Sequence, residues 1–346
     1  MKVAICTLYG NVNFGNKLQN YALQETLMKL GIEQVITFKS DDRRIITKIK
    51  EITKMLNKKN RKFIKFNKNI NYAKKIIDYN NPKIEEKIDA IIYGSDQIWN
   101  TQFEGKYRFF IGDLDIPIKK IAYAASFGTN SIDEEYVDKY KKSLGEFYKI
   151  SVREIQGKKI IKNMINKDTE VVLDPTLLLS REEWQKIEKK IPIKLPKRYV
   201  LNCFLGESTN EKLDFISKFA KENDCEIINI LDKNDKYYSE TGPSEFLSLI
   251  DNSYAIFTDS FHATVFSIIF EKPFLSFQRT QKNLKSMNSR IDTLLHKFKL
   301  QNNIYNSNKD NRRFMNIDYD NVKKILNKEK NKSLAYLKKS ISKWWI

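Results

Sequence analysis

Short apolar runs alternate with segments of helical periodicity along most of the chain. The first run, "KVAICTLYG", predicts a buried strand, and "GNKLQNYALQETLMKLG" after it predicts a helix that ends at Gly31. The same order recurs at "IEQVITF", "DAIIYG" and "EVVLDP". Because strands that alternate with helices form parallel sheets, the pattern predicts an α/β fold.

The alternation is interrupted once and then resumes. Asp174 and Pro175 predict a structural turn, and "LSREEWQKI" predicts a new helix with a capping box between Ser180 and Glu183. A second series of strands follows, "YVLNCFLG", "EIINIL" and "YAIFT". The helices predicted between and after them cover residues 209–222, 243–251 and 260–271.

We interpret the two series as two Rossmann-like domains that face each other across a cleft. The predicted limits are 1–175 for the first domain, 176–315 for the second, and 316–346 for a C-terminal amphipathic basic helix. Residues 41–87 are interpreted as a basic insert in the first domain, helical and irregular.

Positive charge is concentrated in this insert. The chain has a net charge of +19, and residues 41–77 hold 13 Lys and Arg against three acids. One interpretation is a solvated helical face, and the other is an anionic partner such as a phosphorylated small molecule. Aromatic residues are not interleaved with the basic ones, as stacking on single strands would need, so we predict no nucleic-acid partner.

Three cysteines without metal-site spacing predict neither a disulfide framework nor a zinc site. The apolar run at the N-terminus is too short for a signal peptide, and a cytoplasmic protein is expected. The tail "SISKWWI" leaves two interpretations open. It is an interfacial membrane helix at the inner face of the plasma membrane, or a terminal helix packed on the first domain, which we favour.

Small and polar residues follow several predicted strands directly. Ligands bind beyond the carboxyl ends of parallel strands, so these residues form a candidate substrate site, although each also suits an ordinary turn or cap. No dinucleotide or P-loop fingerprint is present. The candidates are Asn16, Gln19, Gly94, Ser95, Asp96, Gln97, Ser126, Arg153, Ser260 and His262.

Two of these candidates, and Trp99 close to them in the sequence, are open to a structural as well as a functional interpretation. Asp96 suits an N-cap as well as a ligand contact, and Trp99 suits either the core or a stacked sugar. Arg153 suits a pair with Glu154 or a surface acid, or the bidentate capture of phosphate or carboxylate.

His262 is one of only two histidines, and it falls on the first turn of a predicted helix. The N–H groups and dipole at that position favour anions. An imidazole there is placed to exchange a proton with an anionic ligand; the alternative is a buried capping histidine. His296, in the middle of a predicted helix, is interpreted as structural.

Seven motifs in order resemble the polysaccharide pyruvyl transferase family over roughly residues 1–300. They are "NVNFGNKLQNYALQ", "YGSDQIWN", "AYAASFG", "SVREIQG", "VVLDPTLLLSREEW", "FTDSFHATVFSIIFEKPFLSF" and "NSRIDTLLHKFKL". The resemblance implies a glycosyltransferase-B-like fold and transfer of pyruvate from phosphoenolpyruvate to two hydroxyls of a sugar, giving a cyclic ketal. The family's functional histidine and strand-end arginine fall on His262 and Arg153.

That reaction needs cationic groups for the donor, a proton donor and a base, and no metal or redox cofactor. We expect His262 to transfer the proton, and Arg153 and Arg290, with the helix N-terminus at Ser260, to hold the anions. The acceptor implied is a cell-surface polysaccharide or its lipid-linked sugar precursor. The alternative function is a nucleotide-sugar-dependent glycosyltransferase of the same architecture. The residues expected to face the acceptor are Asn16, Gln19, Asp96 and Gln97.

Overall fold

The computed structural model divides the chain into two compact units, and each contains its own parallel sheet. Unit 1 comprises Met1–Ile52, Asn67–Leu178 and Asn327–Ile346, and unit 2 comprises Thr53–Phe66 and Leu179–Leu326. The residues that the structure describes are 1–10, 12–41, 57–78, 82–102, 107–114, 116–279 and 288–342.

Within the described residues, the sheet of unit 1 has seven strands. They are β1 (Lys2–Cys6), β2 (Gln34–Asp41), β3 (Tyr72–Asp78), β4 (Ala90–Tyr93), β5 (Lys119–Ala125), β6 (Lys149–Val152) and β7 (Glu170–Val171). Their order is β3-β2-β1-β4-β5-β6-β7, and every pairing is parallel. The four residues of β4 and the last four of β1 are all buried, as expected of central strands covered on both faces.

The sheet of unit 2 is smaller, with four strands among the described residues. They are β8 (Tyr199–Cys203), β9 (Glu226–Asn229), β10 (Ala255–Thr258) and β11 (Phe274–Ser276). Their order is β11-β10-β8-β9, again with parallel pairings. Both sheets therefore confirm the predicted α/β class with two Rossmann-like units.

The helices alternate with these strands as the periodicity predicts. The α-helices in the described residues are α1 (Phe14–Lys29), α2 (Lys58–Phe66), α3 (Tyr107–Phe110), α4 (Glu134–Gly145), α5 (Ile155–Ile165), α6 (Arg181–Gln185), α7 (Asn210–Glu222), α8 (Pro243–Asp251), α9 (Phe261–Ile269), α10 (Ser289–Lys297) and α11 (Tyr319–Ser342). Short 3-10 helices cover Asn67–Asn69, Pro175–Leu178, Gln301–Asn303 and Asn311–Met315. Gly31, with φ of 93°, follows α1 and confirms the predicted stop.

Each sheet has a point at which the strand order reverses, and ligands of open α/β sheets bind at such points. In unit 1 the reversal lies between β1 and β4, because β2 and β3 extend the sheet on one side and β4 begins the other. In unit 2 it lies between β8 and β10. Most of the predicted site residues lie in the loops that follow these four strands or in the first turns of the helices after them.

The interpretation of residues 41–87 as helical and irregular is wrong for part of its length. Tyr72–Asp78 form β3, an edge strand paired with β2, while α2 in the same segment belongs to unit 2. The strand was missed because two exposed lysines, Lys74 and Lys75, interrupt the alternation of buried positions. Lysine is common on edge strands, where it discourages pairing with another chain. Residues 42–56 of the basic insert lie outside the described residues.

A β-bulge interrupts strand β5, and a side chain of α11 forms a hydrogen bond with the backbone carbonyl that the bulge displaces. The pairing of β5 with β6 shifts register between Ala122 and Ala125, and Ala124 has φ of 53°. The displaced carbonyl of Ala122 accepts hydrogen bonds from Ser151 Oγ at 3.0 Å and from the Tyr336 hydroxyl of α11 at 3.1 Å. Residues near the end of the chain therefore satisfy polar groups of the first sheet.

The same end of α11 is packed against unit 1. Leu337 and Ile341 are buried, and Ser333 Oγ accepts a hydrogen bond from the Leu173 N–H at 3.0 Å. These contacts favour the interpretation of the tail as a packed terminal helix.

Trp344 and Trp345, on which the membrane interpretation depends, lie outside the described residues. In the part of the chain that is described, none of the helices has the length and apolar character needed to span a bilayer.

The predicted capping box of α6 is present. Ser180 N–H donates to Glu183 Oε2 at 2.8 Å, and Glu183 N–H donates to Ser180 Oγ at 3.3 Å. Ser180→Ala removes one of the two bonds, so we expect a loss of roughly 1 kcal/mol in the free energy of unfolding. Urea denaturation measures it against Ser307→Ala, at an exposed position. Equal stability of the two variants would contradict the assignment.

Candidate functional site

The first turns of α1 carry two predicted site residues, Asn16 and Gln19. Asn13 caps this helix, since its side chain accepts a hydrogen bond from the Asn16 N–H at 3.1 Å. The Asn16 amide donates to Asp96 Oδ2 at 3.1 Å, and Asp96 Oδ1 accepts from the Gln97 N–H at 2.8 Å. Asp96 has φ of 102°, a value that residues other than glycine rarely adopt. The loops after β1 and β4 are thus joined at the reversal point of unit 1.

Gln19 lies in the same buried polar network. Its Nε2 donates to Thr7 Oγ1 at 2.9 Å, and Thr7 Oγ1 donates to the Ser95 carbonyl at 3.0 Å. Among the described residues, Gln19 Oε1 has no hydrogen-bond partner, although Gln19 is fully buried. Buried polar atoms are nearly always paired, so this lone acceptor beside the strand ends keeps Gln19 a candidate for a ligand contact.

Arg153 forms a buried ion pair with Asp174. Its Nη1 donates to Asp174 Oδ2 at 2.6 Å and to Ser95 Oγ at 3.0 Å, and the two charged side chains are 2% and 0% exposed. In the described part of the chain, the acid that pairs with Arg153 is therefore the buried Asp174, whereas the sequence suggested Glu154 or a surface acid. Asp174 Oδ1 also accepts hydrogen bonds from the N–H and the Oγ1 of Thr176. The predicted turn at Asp174 is therefore present, and it orients the carboxylate that pairs with Arg153.

Ser126 and Gln97 lie against a tight turn after β5. Ser126 Oγ donates to Glu154 Oε1 at 3.0 Å and accepts from the Gly128 N–H at 3.1 Å. Gly128 has φ of 67°, and a Cβ there would lie 2.1 Å from Gln97 Oε1. Another residue at this left-handed φ would be strained and would displace the Gln97 side chain, so glycine suits the turn best.

Two neighbours of these residues are structural. Trp99 is fully buried and its Nε1 donates to the Phe110 carbonyl at 3.0 Å, so the alternative of a stacked sugar is wrong and the core interpretation is correct. Its ring packs against Phe127 at 5.2 Å between centroids. A Cβ on Gly94 would lie 3.2 Å from a methyl of Leu23, so Gly94 allows α1 to approach β4 closely.

In unit 2, Asp259 organises the reversal point. Its two oxygens accept from the backbone N–H groups of Leu205 and Gly206 at 2.7 and 2.8 Å, which ties the loop after β8 to the loop after β10. Arg279 Nε lies 3.7 Å from Asp259 Oδ2, and its Nη2 donates to the Asp259 carbonyl at 3.2 Å. A buried carboxylate thus positions both a loop and a cation.

Ser260 is the N-cap of α9, as the motif predicts. Its side chain accepts from the Ala263 N–H at 3.4 Å, and its own N–H donates to Thr258 Oγ1 at 2.9 Å. Thr258 Oγ1 in turn donates to the Cys203 carbonyl at the end of β8. The start of the helix is therefore held at the strand ends, with its first N–H groups at the carboxyl edge of the sheet.

His262 is 7% exposed, on the first turn of α9. Its ring lies edge to face with Phe261 at 5.2 Å between centroids. Arg290 on α10 is also buried, and its guanidinium lies 5.8 Å from the same Phe261 ring. Phe261 thus contacts both the histidine and the arginine that were expected to bind the donor. His296, by contrast, is exposed, and its Nδ1 lies 3.0 Å from the Asp292 carbonyl.

A model of the polysaccharide pyruvyl transferase family matches residues 13–280, a span that contains nearly all of these residues. The chain belongs to the polysaccharide pyruvyl transferase family. It is therefore a transferase. Among curated proteins none matches the chain.

Solved structures resemble this pyruvyl transferase family member along its whole length. The UDP-GlcNAc 2-epimerase of Neisseria meningitidis, solved with UDP-GlcNAc bound, has a TM-score of 0.54 at 11% identity and covers 99% of this chain and 100% of its own. A putative UDP-N-acetylglucosamine 2-epimerase of Listeria monocytogenes has a TM-score of 0.53 at 12% identity, with 97% and 91% covered. Identities this low show the fold alone, and they confirm the glycosyltransferase-B-like class.

The predicted residues of this pyruvyl transferase family member fall into two groups, one in each unit. In unit 1, hydrogen bonds connect Asn16 with Asp96, and Gln19 through Thr7 with Ser95 and Arg153. The second group lies in unit 2. It consists of Ser260, His262 and Arg290. The roles assigned to these residues stay predictions.

Three cationic side chains beside these groups were not selected from the sequence, and two of them, Lys17 and Lys59, are buried. Arg279 contacts Asp259, and Lys59 Nζ of α2 lies 3.4 Å from the Ile230 carbonyl, directly after β9. Lys17 donates to the Tyr72 hydroxyl at 3.1 Å, and burial lowers the pKa of Lys17 to about 8. Arg279 follows β11 within the family motif region and was detectable as a strand-end residue. The lysines gave no signal that separated them from the many exposed lysines of the chain.

Proposed function

We propose that this chain transfers pyruvate from phosphoenolpyruvate to two hydroxyls of a sugar. The acceptor is a cell-surface polysaccharide or its lipid-linked precursor, and the products are a cyclic ketal and phosphate. Family membership supports the reaction class. The observation that carries the proposal further is a set of cationic and protonatable side chains in unit 2. His262 and Arg290 are buried, and Arg279, which lies beside Asp259, is half-buried.

The reaction requires one protonation and two attacks by hydroxyl oxygens. A proton adds to the methylene carbon of phosphoenolpyruvate and converts it to a methyl group, which leaves positive charge on the neighbouring carbon. One sugar hydroxyl attacks that carbon, the bond to the phosphate oxygen breaks, and the second hydroxyl closes the ring. Of the two hydroxyl protons, one balances the proton on the methyl carbon and the other leaves with phosphate. We propose that no metal or redox cofactor takes part.

In unit 2 we assign the donor chemistry. His262 transfers the proton, a role that typically contributes 10²–10⁴ in rate. The N–H groups of α9 that begin after Ser260 and the guanidinium of Arg290 bind the carboxylate and phosphate of the donor. Arg279, fixed by Asp259, adds a cation at the same edge. Anion binding by Arg153 in unit 1 stays a prediction.

In unit 1 we assign contacts with the acceptor sugar. Gln19 Oε1 is suited to accept a hydrogen bond from a sugar hydroxyl, because it is the buried acceptor described above. Asn16 on α1, and Asp96 and Gln97 in the loop after β4, supply further amide and carboxylate groups. Peripheral contact with the inner membrane face, which would bring a lipid-linked acceptor near, also stays a prediction.

A donor comparison tests the proposed reaction. The purified chain is incubated with phosphoenolpyruvate or with nucleotide sugars and a panel of saccharide acceptors, and the acceptors are analysed by mass spectrometry. We expect an added mass equal to pyruvate minus water, with one phosphate released per ketal. Addition of a whole sugar residue from a nucleotide sugar, with no phosphate released from phosphoenolpyruvate, would establish the glycosyltransferase alternative instead.

A further inference from the structure

Lys17 is a buried lysine in the first turns of α1, between two residues assigned to the acceptor sugar. Asn16 precedes it, and Gln19 follows two positions later. All three side chains are at most 3% exposed. Lys17 Nζ donates a hydrogen bond to the Tyr72 hydroxyl of β3 at 3.1 Å. An ionisable amino group is therefore enclosed in the part of unit 1 where the acceptor contacts are assigned.

Strand register places this amino group near the carboxyl edge of the sheet. Tyr72 pairs with Thr37 of β2, which pairs with Ile5, the last residue but one of β1. The ring of Tyr9, in the loop directly after β1, has its centroid 5.3 Å from Lys17 Nζ. The amino group thus lies at the edge where ligands of open α/β sheets bind.

The surroundings of Lys17 favour its uncharged form. Among the described residues, the Tyr72 hydroxyl is its one hydrogen-bond acceptor, and no carboxylate forms an ion pair with it. The ring centroids of Tyr9 and Tyr72 lie 5.3 and 5.5 Å from Nζ. Burial alone lowers the pKa of Lys17 to about 8. A buried ammonium without an anion is costly, whereas a neutral amine with one hydrogen bond costs much less.

A contact between α1 and the neighbouring strands does not require a lysine. Further along α1, Asn20 Oδ1 accepts a hydrogen bond from Thr37 Oγ1 at 2.9 Å. Gln24 Oε1 accepts one from the Asn71 N–H, directly before β3, at 2.7 Å. Both are neutral amides that bring no charge into the fold. A lysine adds what an amide lacks, which is the ability to take up a proton close to neutral pH.

We propose that Lys17 is the base that takes the proton from a hydroxyl of the acceptor sugar as that hydroxyl attacks the donor. This role deepens the proposed function and rests on it. The lone pair of Lys17 Nζ accepts the proton, the O–H bond breaks, and the oxygen forms its bond to the donor carbon. The ammonium then releases its proton to water, which balances the proton that His262 delivers to the methylene carbon. The proton of the second hydroxyl leaves with phosphate.

The role predicts how turnover depends on pH. With a pKa of about 8, Lys17 is neutral in about one molecule in ten at pH 7 and in nearly all at pH 9. The titratable groups that face it are the phenols of Tyr9 and Tyr72, and Tyr21 lies one turn further along α1. Burial raises the pKa of Tyr72 and Tyr21 above that of an ordinary tyrosine. The 3-10 helix Pro175–Leu178, which packs on α1, has no titratable side chain.

The test compares Lys17→Met with Tyr72→Phe and with Lys29→Met, at an exposed position of the same helix. Turnover of phosphoenolpyruvate, and of nucleotide sugars, is measured with saccharide acceptors from about pH 6 to 9. We expect Lys17→Met to lower kcat by 10²–10⁴-fold and to lose the rise of activity with pH. Tyr72→Phe keeps the amine, so it should keep that rise and lose far less activity. Lys29→Met should behave as wild type.

Two further measurements separate a base from a structural contact. Methylamine added to Lys17→Ala should restore part of the turnover, because a small amine can enter the space left by the side chain and accept the proton. In wild-type protein labelled with ¹³C at the lysine Cε, the NMR signal that Lys17→Met lacks should titrate with a midpoint near 8, whereas an ordinary lysine titrates near 10.4. If Lys17→Met fails to fold, Lys17→Gln, which introduces an amide like Asn20, takes its place.

The outcomes distinguish this role from the proposed function. Turnover of phosphoenolpyruvate by Lys17→Met within a few-fold of wild type, or equal losses in Lys17→Met and Tyr72→Phe, overturns the base and leaves the proposed function in place. A lysine midpoint near 10 overturns the base whatever the enzyme does. Transfer from a nucleotide sugar that requires Lys17 and is rescued by methylamine, without turnover of phosphoenolpyruvate, upholds the base and rejects the proposed reaction.

Discussion

Replacing His262 with glutamine is expected to lower the release of phosphate from phosphoenolpyruvate by 10²–10⁴-fold. Glutamine has a similar volume and can still form hydrogen bonds, but it cannot transfer a proton. His262 is 7% exposed and sits on the first turn of α9, which Ser260 caps without its help. The substitution should therefore leave the thermal midpoint nearly unchanged, and a coupled phosphate assay and a melting curve measure the two effects separately.

The matched control is His296→Gln, which changes the other histidine of the chain at an exposed position on α10. It should retain full activity. Phosphate release by His262→Gln within a few-fold of wild type, with both variants folded, would remove His262 from the proposed mechanism. A fall in activity that follows a large drop in thermal midpoint would show that the imidazole supports the fold instead.

Replacing Arg153 with methionine is expected to reduce the free energy of unfolding by about 3–5 kcal/mol. The substitution removes the cation that pairs with the fully buried Asp174 carboxylate. Ser95 Oγ also loses the hydrogen bond that Arg153 Nη1 donates to it. Arg153→Met/Asp174→Leu removes both charges, so it should recover much of the loss. Urea denaturation of the single and double variants gives the coupling energy between the two side chains.

Arg181→Met is the control for this cycle, because Arg181 is 35% exposed in its pair with Asp251 and such pairs contribute about 0–1 kcal/mol. A loss below about 1 kcal/mol in Arg153→Met would contradict the structural role of the ion pair. The double variant also tests the predicted anion contact. If it folds and is saturated by phosphoenolpyruvate at wild-type concentrations, Arg153 does not bind the donor.

The secondary structure was predictable wherever local pattern and packing agree. The limits predicted for the helix at 243–251 coincide with α8, because Pro243 at its first position and Asn252 just after it mark both ends. β3 was missed because the adjacent residues Lys74 and Lys75 are both exposed, so both faces of this edge strand are polar there and the alternation is broken. The strand expected at "EVVLDP" is only two residues long, and Asp174, three residues after its end, pairs with Arg153 instead of extending the strand.

The candidate site was predictable as a set of strand-end residues and not as a set of contacts. Position after a parallel strand selected Asn16, Asp96 and Ser260, because topology brings such ends together. Partners separated by many residues left no such signal: Asp174 was interpreted as a turn, and Lys59 lies 171 residues before the Ile230 carbonyl it contacts. Trp99 was ambiguous because an aromatic ring suits the core and a sugar equally well until its burial is known.

The bulge in β5 has a consequence for biosynthesis. The Ala122 carbonyl and the Leu173 N–H find partners in Tyr336 and Ser333, far later in the chain. During translation these two partners are missing until residues 333–336 leave the ribosome, 160 residues after Leu173 has done so. The sheet of unit 1, although its strands are synthesised first, is thus completed only after every described strand of unit 2 has been made.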